Sequence, residues 1–363
     1  MPIATMLALG CSFALSAVAT WLVRSIARRR GFIDQPGGHK QHHAPVALGG
    51  GIAITWTVVT LISAGTLLAM AWSRGAAPDW LPPFFRMHLD GINEKAPVLF
   101  AILAGVVVLH VVGFIDDVRP LGPAVKMVVQ TIVALFVAVF AGVRVLDLET
   151  LPVWCSILLT VVWIVGVTNA FNFLDNMDGL SAGVAVIAGT IFAATGIAGG
   201  QIFVPVFTLI LVGALLGFLL FNFQPATIFM GDSGSLVVGY LMAVLIALTT
   251  FYDPTRSLKP AGVFLPLVVL AVPVYDAVSV CVHRLRAGVS IFRGDRRHFS
   301  HRLVQRGLSE RAAVLTIYLA TAATSSAAIL LPHVDWPAAC LIFAQCVFVV
   351  LIIAILEHAG RRE

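Results

Sequence analysis

Long apolar runs separated by short polar segments set the pattern of the chain. Runs of about the ~20 residues that cross a ~30 Å hydrocarbon core fall at 3–23, 47–72, 97–115, 125–142, 152–168, 180–198, 202–221, 234–251, 262–283, 312–331 and 336–356. The pattern predicts an all-α, polytopic transmembrane helix bundle of about eleven spans. Ten is the alternative count, and the runs 125–142 and 152–168 are short enough to require tilt or local thinning of the bilayer. No stretch between runs reads as a soluble domain. Residues 1–363 are therefore expected to form a single membrane domain, with a basic loop at 284–311.

Composition agrees with that pattern. The chain is 59% hydrophobic and 11% charged, with mean hydropathy +0.98, whereas soluble domains carry roughly 25% charge. The first apolar run has no positive segment before it, and Arg24, Arg28, Arg29 and Arg30 follow it. It reads as a retained helix rather than a cleaved leader. The five cysteines have no CxxC spacing, so neither a disulfide framework nor a zinc cluster is expected.

Charge then orients the bundle. Seventeen of the 23 Lys and Arg residues lie on one side, in the segments 24–46, 116–126, 284–311 and the C-terminal end. The positive-inside rule puts that side in the cytoplasm and the N-terminus outside. The same parity gathers Asp116, Asp117, Asp175, Asp178, Asp232 and Asp295 on the cytoplasmic face, although it was set from Lys and Arg alone. An active site on that face, fed by a cytosolic nucleotide, is the resulting expectation.

Four polar segments carry candidate chemistry. The third span ends in Asp116-Asp117, with Lys126 nine residues beyond and Gln130 one turn further. Adjacent carboxylates repel unless a cation or proton donor is near, and the compact charge of Lys126 suits a phosphate. A helix end carrying hydrated acids is the plainer reading of the pair alone. Asn169, Asn172, Asp175 and Asp178 recur at every third position and predict one polar ridge able to ligate a hard cation or hold hydroxyls. Capping of the next helix by Asp178 or Ser181, with Gly179 in the turn, is compatible with that role. Gly231-Asp232-Ser233-Gly234 places a carboxylate where a helix begins, which fits a metal diphosphate better than a protease nucleophile loop. His298, His301 and Arg302 are spaced to share one helix face and grip a diphosphate, whereas many of the surrounding arginines read as an electrostatic flank. Asp276 lies inside the ninth run, where charge is costly, and should face the bundle interior. His39, Lys40, His42 and His43 form a polar loop that could close over substrate.

Together these segments resemble the polyprenyl-phosphate N-acetylhexosamine-1-phosphate transferases over about residues 30–310. The matching motifs are Asp116, Asp117, Lys126 and Gln130, the run Asn169–Leu180, and Gly231–Gly234, in the family's order and spacing. The resemblance implies transfer of a hexosamine 1-phosphate, most simply GlcNAc 1-phosphate, from a UDP-sugar to undecaprenyl or another polyprenyl phosphate, with release of UMP. It implies Mg²⁺, replaceable by Mn²⁺, on Asp232 and Asn172. It assigns Asp116 and Asp117 to catalysis and Lys126, Asp175, Asp178, His298, His301 and Arg302 to substrate. It places the protein in a bacterial inner membrane at the start of a cell-envelope glycan pathway. A homodimer is compatible with such a bundle; a nucleic-acid partner is not expected. Pro273-x-x-Asp276 and the arginine-rich histidine loop are more similar to the GlcNAc branch than to the phospho-N-acetylmuramoyl-pentapeptide transferases, the alternative within the family. Two positions depart from the usual pattern: Ser300 stands where a histidine is common, and Asn176 stands in place of a glycine. An ion-coupled transporter is the rival from another class, but it needs mid-membrane carboxylates, and only Asp276 qualifies.

Overall fold

The computed structural model describes residues 2–35, 45–146, 151–249, 258–290 and 298–358. The helices among them are α1 (Pro2–Arg30), α2 (Gly50–Ala71), α3 (Pro83–Arg86), α4 (Leu89–Val118), α5 (Pro123–Phe140), α6 (Val153–Leu174), α7 (Leu180–Ala198), α8 (Phe203–Asn222), α9 (Asp232–Leu248), α10 (Leu265–Val269), α11 (Ala271–Arg286), α12 (Phe299–Gln305), α13 (Glu310–Ala328) and α14 (Trp336–His358). The described residues contain nine helices long and apolar enough to cross a membrane, and the bent pair α10 and α11 brings the number to ten. The remaining apolar run, the eighth, is α9, whose 17 residues span about 26 Å at 1.5 Å each, short of a ~30 Å core. The chain is thus a multi-pass membrane protein, and the expected bundle resolves into nine full spans, one broken span and one short central helix.

Helix ends differ from the hydropathy limits where polar residues simply continue the helix. α1 runs through Arg28, Arg29 and Arg30, and α4 begins at Leu89 rather than near residue 97. Hydropathy marks where lipid contact stops, whereas a helix stops only where its backbone finds other partners.

The ninth run is broken by 60° between α10 and α11. Pro273 has no N–H to offer the Val269 carbonyl, so the hydrogen-bond ladder loses a rung there. Ser325 Oγ of α13 donates to that freed carbonyl at 3.4 Å, as an interior with no water requires.

At the centre stands α9, buried along nearly its whole length and surrounded by α2, α4, α6, α7 and α8. Its Tyr240 hydroxyl donates to Ile102 O of α4 at 3.2 Å. α1 lies directly on α8, because a Cβ on Gly213 or Gly217 would strike the α1 backbone. Ser16 Oγ donates to Ala214 O across the same seam at 2.6 Å. Close backbone approach through small residues substitutes for the hydrophobic drive that lipid cannot supply. Val128, Ile132, Leu158, Val162, Leu341 and Ile355 remain exposed on the outer faces of α5, α6 and α14, as lipid-facing positions should.

One end of the bundle is closed by a short antiparallel ribbon, Ile33–Asp34 against Val46–Ala47. Its Ala47 O accepts from Phe229 N at 2.8 Å. The first two amides of α2, Gly50 N and Gly51 N, donate to Phe229 O and Met230 O at 2.9 Å. The free N–H groups at that helix start are thereby satisfied by the strip that leads into α9.

Candidate active site

The α9 N-terminus organises the site. Asp117, near the end of α4, accepts from Asp232 N at 2.7 Å through Oδ1 and from Ser233 N at 3.1 Å through Oδ2. These are the amides a helix start leaves without intrahelical partners, and a carboxylate also complements the helix dipole. Gly231 has φ 72°, and a Cβ there would collide with the Asp117 carboxylate. Only glycine permits this approach. Asp117 therefore fixes the backbone that carries Asp232.

Asp116, its neighbour, is turned differently. Oδ1 accepts from Leu121 N at 2.8 Å, which closes the turn between α4 and α5, and Oδ2 meets Lys126 Nζ at 3.0 Å. Lys126 also binds Asp232 Oδ2, so one ammonium joins the two carboxylates. The other Asp232 oxygen accepts from Asn172 Nδ2 at 3.0 Å, and Asn172 also donates to Ser235 Oγ at 2.8 Å. Asn169 donates to Gln130 Oε1 and to Val165 O, tying α6 to α5.

The expected single ridge divides. Asn169 and Asn172 lie in the last turns of α6, but the helix ends at Leu174, and Asp175 and Asp178 sit in the turn before α7. Asp178 Oδ2 accepts from Ala226 N at 2.8 Å, while Gly179 N donates to Asn222 Oδ1 at 3.0 Å. Asn169, Asn172 and Asp178 thus reach three different segments, α5, the start of α9 and the strip after α8. Asp175, outside the spanning helices and part-exposed on the cavity wall, is pushed up to about 8 by burial and then by the charges of Asp232, Asp117 and Asp178.

The histidine segment also diverges instead of presenting one face. His298 precedes α12 and pairs through Nδ1 with buried Asp276 at 2.8 Å, while the other Asp276 oxygen accepts from Phe299 N at 3.1 Å. His301 faces a cavity with Asp116, Asp117 and Asp232. Arg302 turns away to Glu357 near the end of α14, with Nη2 to Oε2 at 2.8 Å, and it lines neither cavity described below. The reason lies in the start of α12: His298 has an extended backbone (φ −64°, ψ 145°), so helical spacing does not begin until Phe299. Asp276 is confirmed as an interior group, and its partners are the histidine segment. Arg293, Asp295, Arg296, Arg297, His39, Lys40, His42 and His43 lie outside the described residues.

Two cavities meet at these groups. A polar one of about 660 Å³ is lined by Asp117, Asp178, Asn222, Gly231, Asp232 and His301 among others. A second of about 700 Å³ runs between α5, α6 and α11 and is lined by Met127, Val165, Val278, Cys281 and Val282, with Lys126 and His298 at its head. Asp116, Asn172, Asp175 and Asn176 belong to both walls.

Several contributors had no motif to announce them. Asp34 joins the polar cavity from the ribbon. His110, a polar residue in an apolar helix six positions before Asp116, meets Ser233 O at 3.0 Å and Thr55 Oγ1 at 3.2 Å. Arg284 and Arg311, read as part of an electrostatic flank, and Arg24, from the basic cluster after the first run, stack on Phe173, Phe223 and Phe221 at 5.4, 5.5 and 4.9 Å. They brace the segments that carry the site.

Among the described residues no three His, Cys, Asp or Glu side chains form a ready-made metal cluster. The donor set still fits a hard cation. Asp232, Asn172, Asp116 and Asp175 offer oxygens around one junction, and Mg²⁺ characteristically takes one or two carboxylates while substrate phosphates and water supply the rest.

A helical membrane bundle that gathers acids, amides and a lysine where a polar cavity meets an apolar one has the form a membrane enzyme needs to join a water-soluble substrate to a lipid, and its relatives make the class an integral-membrane transferase. The family described as "Glycosyl transferase family 4" matches residues 99–250, and the chain belongs to it. A Bacillus subtilis (strain 168) relative named "Probable undecaprenyl-phosphate N-acetylglucosaminyl 1-phosphate transferase" is 33% identical over 344 residues, 92% of this chain and 87% of its own length. A Mycobacterium tuberculosis (strain ATCC 25618 / H37Rv) relative, "Decaprenyl-phosphate N-acetylglucosaminephosphotransferase", is 34% identical over 83% of this chain and 76% of its own. An Escherichia coli O157:H7 relative, "Undecaprenyl-phosphate alpha-N-acetylglucosaminyl 1-phosphate transferase", is 26% identical over 88% of this chain and 81% of its own.

Proposed function

We propose that the protein transfers N-acetylglucosamine 1-phosphate from UDP-GlcNAc to a polyprenyl phosphate in a bacterial inner membrane, releasing UMP, with the site on the cytoplasmic side. The observation that carries the reading is the pair of unlike cavities meeting at Asp116, Asn172, Asp175 and Asn176. A nucleotide sugar is a polar, water-soluble molecule suited to the first cavity, and a prenyl chain suits the second. The names of the three relatives support a polyprenyl phosphate acceptor and the GlcNAc group.

The chemistry at the junction is a displacement. An oxygen of the lipid phosphate attacks the β-phosphorus of the donor, the bond from that phosphorus to the bridging oxygen breaks, and UMP leaves with the bond's electrons. A phosphate monoester has its second pKa near 6 and is mostly dianionic at neutral pH, so positioning and charge neutralisation outweigh base catalysis. Lys126, at the head of the apolar cavity, draws the lipid phosphate towards Asp116. Asp117 acts through α9: it holds the amides of Asp232 and Ser233 and so sets where the Asp232 carboxylate stands. Asp232 and Asn172 would hold Mg²⁺, which when bound neutralises charge on the diphosphate. His301 and Asp178 face the donor in the polar cavity.

The test is UMP release by purified protein given Mg²⁺, undecaprenyl phosphate and either UDP-GlcNAc or UDP-MurNAc-pentapeptide. Metal-dependent release from UDP-GlcNAc, lost in Asp232→Asn, is the expected result. Release from the pentapeptide donor alone would move the protein to the other branch of the family.

A further inference from the structure

Asn176 is on the wall of both cavities, each of which also holds one histidine of the 298–301 segment. His301 lines the polar cavity and His298 the apolar one. The Asn176 carboxamide is held from both ends: Nδ2 donates to Phe173 O at 2.7 Å, and Oδ1 accepts from Ser300 Oγ at 2.6 Å. A backbone carbonyl can only accept, so Phe173 fixes which end of the amide is nitrogen. Ser300 is fully buried in the first turn of α12, and its hydroxyl ties that helix to the turn carrying Asp175 and Asp178.

This leaves one Nδ2 proton of Asn176 without a hydrogen-bond partner among the described residues. The other groups common to both cavities have different capacities. Asp116 is engaged by Leu121 N and Lys126, Asp175 is a carboxyl that exchanges its one proton with solvent or a cation rather than a fixed neutral amide donor, and Asn172 directs its amide nitrogen at Asp232 and Ser235. The β-phosphorus of the donor has to lie at this junction for a lipid phosphate to reach it, which brings the sugar's C1 and the substituent on C2 beside the same wall. Phosphate oxygens would be met there by Lys126 and by a cation held on Asp232 and Asn172. A fixed neutral N–H suits a neutral carbonyl oxygen.

We propose that Asn176, locked by Ser300, is a specificity-determining residue that reads the 2-acetamido carbonyl of the donor sugar. The proposal rests on the transferase reading above. A site that presents a hydrogen-bonding group for one substituent discriminates against the analogue lacking it. Ser300 acts through Asn176 and is a positioning residue.

The experiment compares the KM for UDP-GlcNAc with the Ki of UDP-glucose, which has a hydroxyl at C2, in wild type, Asn176→Ala, Ser300→Ala, the double variant and Ser300→Thr. Asn176→Ala is expected to raise the UDP-GlcNAc KM about tenfold, the scale of one lost hydrogen bond, with kcat, the lipid KM and the UDP-glucose Ki all within about twofold. Ser300→Ala should move the same constant in the same direction by less, the double variant should be no worse than Asn176→Ala, and Ser300→Thr should restore the wild-type value. Thermal melts in detergent identify any variant that fails to fold, and Ser300→Thr keeps the hydroxyl if Ser300→Ala does not. Equal weakening of both nucleotide sugars, additive effects in the double variant, or a shift in the lipid KM would overturn the proposal. Wild-type protein that releases no UMP from any UDP-sugar would instead overturn the transferase reading.

Discussion

The two cavities are built in opposite ways. The polar one is assembled from helix ends and turns: the last residues of α4, the turn between α6 and α7, the strip 229–231 and the first residue of α9. The apolar one is a space between the continuous sides of α5, α6 and α11. Helix ends carry unsatisfied N–H and C=O groups and require polar partners, so a cavity made of ends accumulates acids and amides. Helix sides have their backbone groups paired already and offer only side chains, here Met127, Val165, Val278 and Val282. One fold thereby provides a wet site and an oily one within a single junction, and the Lys126 bridge between Asp116 and Asp232 stands where they join.

Substitutions that act on the junction, on one wall or on protonation alone would sharpen that contrast. Asp232→Asn strikes the junction itself and should lower kcat by roughly 10³-fold or more, the scale of losing a charge-stabilising group in a closed site, with both KM values little changed. Steady-state kinetics in each substrate check it. A large change confined to one KM, with kcat kept, would make Asp232 a binding group for that substrate rather than part of the chemistry. Asp117→Asn acts one step away. It keeps a side-chain oxygen but gives up the second acceptor and the charge at the α9 start, so stability should fall by about 1–2 kcal/mol and kcat by a smaller factor than for Asp232→Asn. A thermal melt paired with kinetics would show the two effects together, and lost activity without lost stability would make Asp117 a direct participant.

Protonation gives the smallest effect. The Asp175 value of about 8 is above the ~3.9 of an unfolded aspartate, so in the metal-free fold the proton-bound form is favoured. The stability this group contributes is therefore present at low pH and lost as pH rises from about 4 through 8. A cation competes with that proton, so apparent Mg²⁺ affinity should rise between pH 6 and about 8 and level off above it. Titrations of Mg²⁺ against protein stability across that range measure the slope, and Asp175→Asn should flatten it.

The bundle was legible in the sequence because apolar runs of membrane length have one common explanation. Eleven runs became eleven helical elements, and the differences were local. The break at Leu270 follows from Pro273, and the early start of α4 follows from polar residues that remain helical beyond the membrane. Motif spacing brought Asp116, Asp117, Asn172, Asp175, Asp178, Asp232 and His301 to one cavity. It did not reveal direction. Spacing of three implied one ridge at 169–178, yet the helix stops at Leu174 and the side chains separate. The i, i+3, i+4 pattern at 298–302 implied one face, yet His298 is extended and Arg302 pairs with Glu357, a lone acid 55 positions away. Tertiary partners decided both cases. The bond between Asn176 and Ser300 joins two positions that local spacing could not connect.

The most direct test of the division between cavities is the pair of KM values in Val278→Trp. Val278 is on the wall of the apolar cavity and largely exposed, so an indole there narrows the oily space without disturbing buried packing. A raised KM for undecaprenyl phosphate with an unchanged KM for UDP-GlcNAc is what two separate cavities require. An unchanged lipid KM, or a rise in the nucleotide-sugar KM alone, would contradict the assignment.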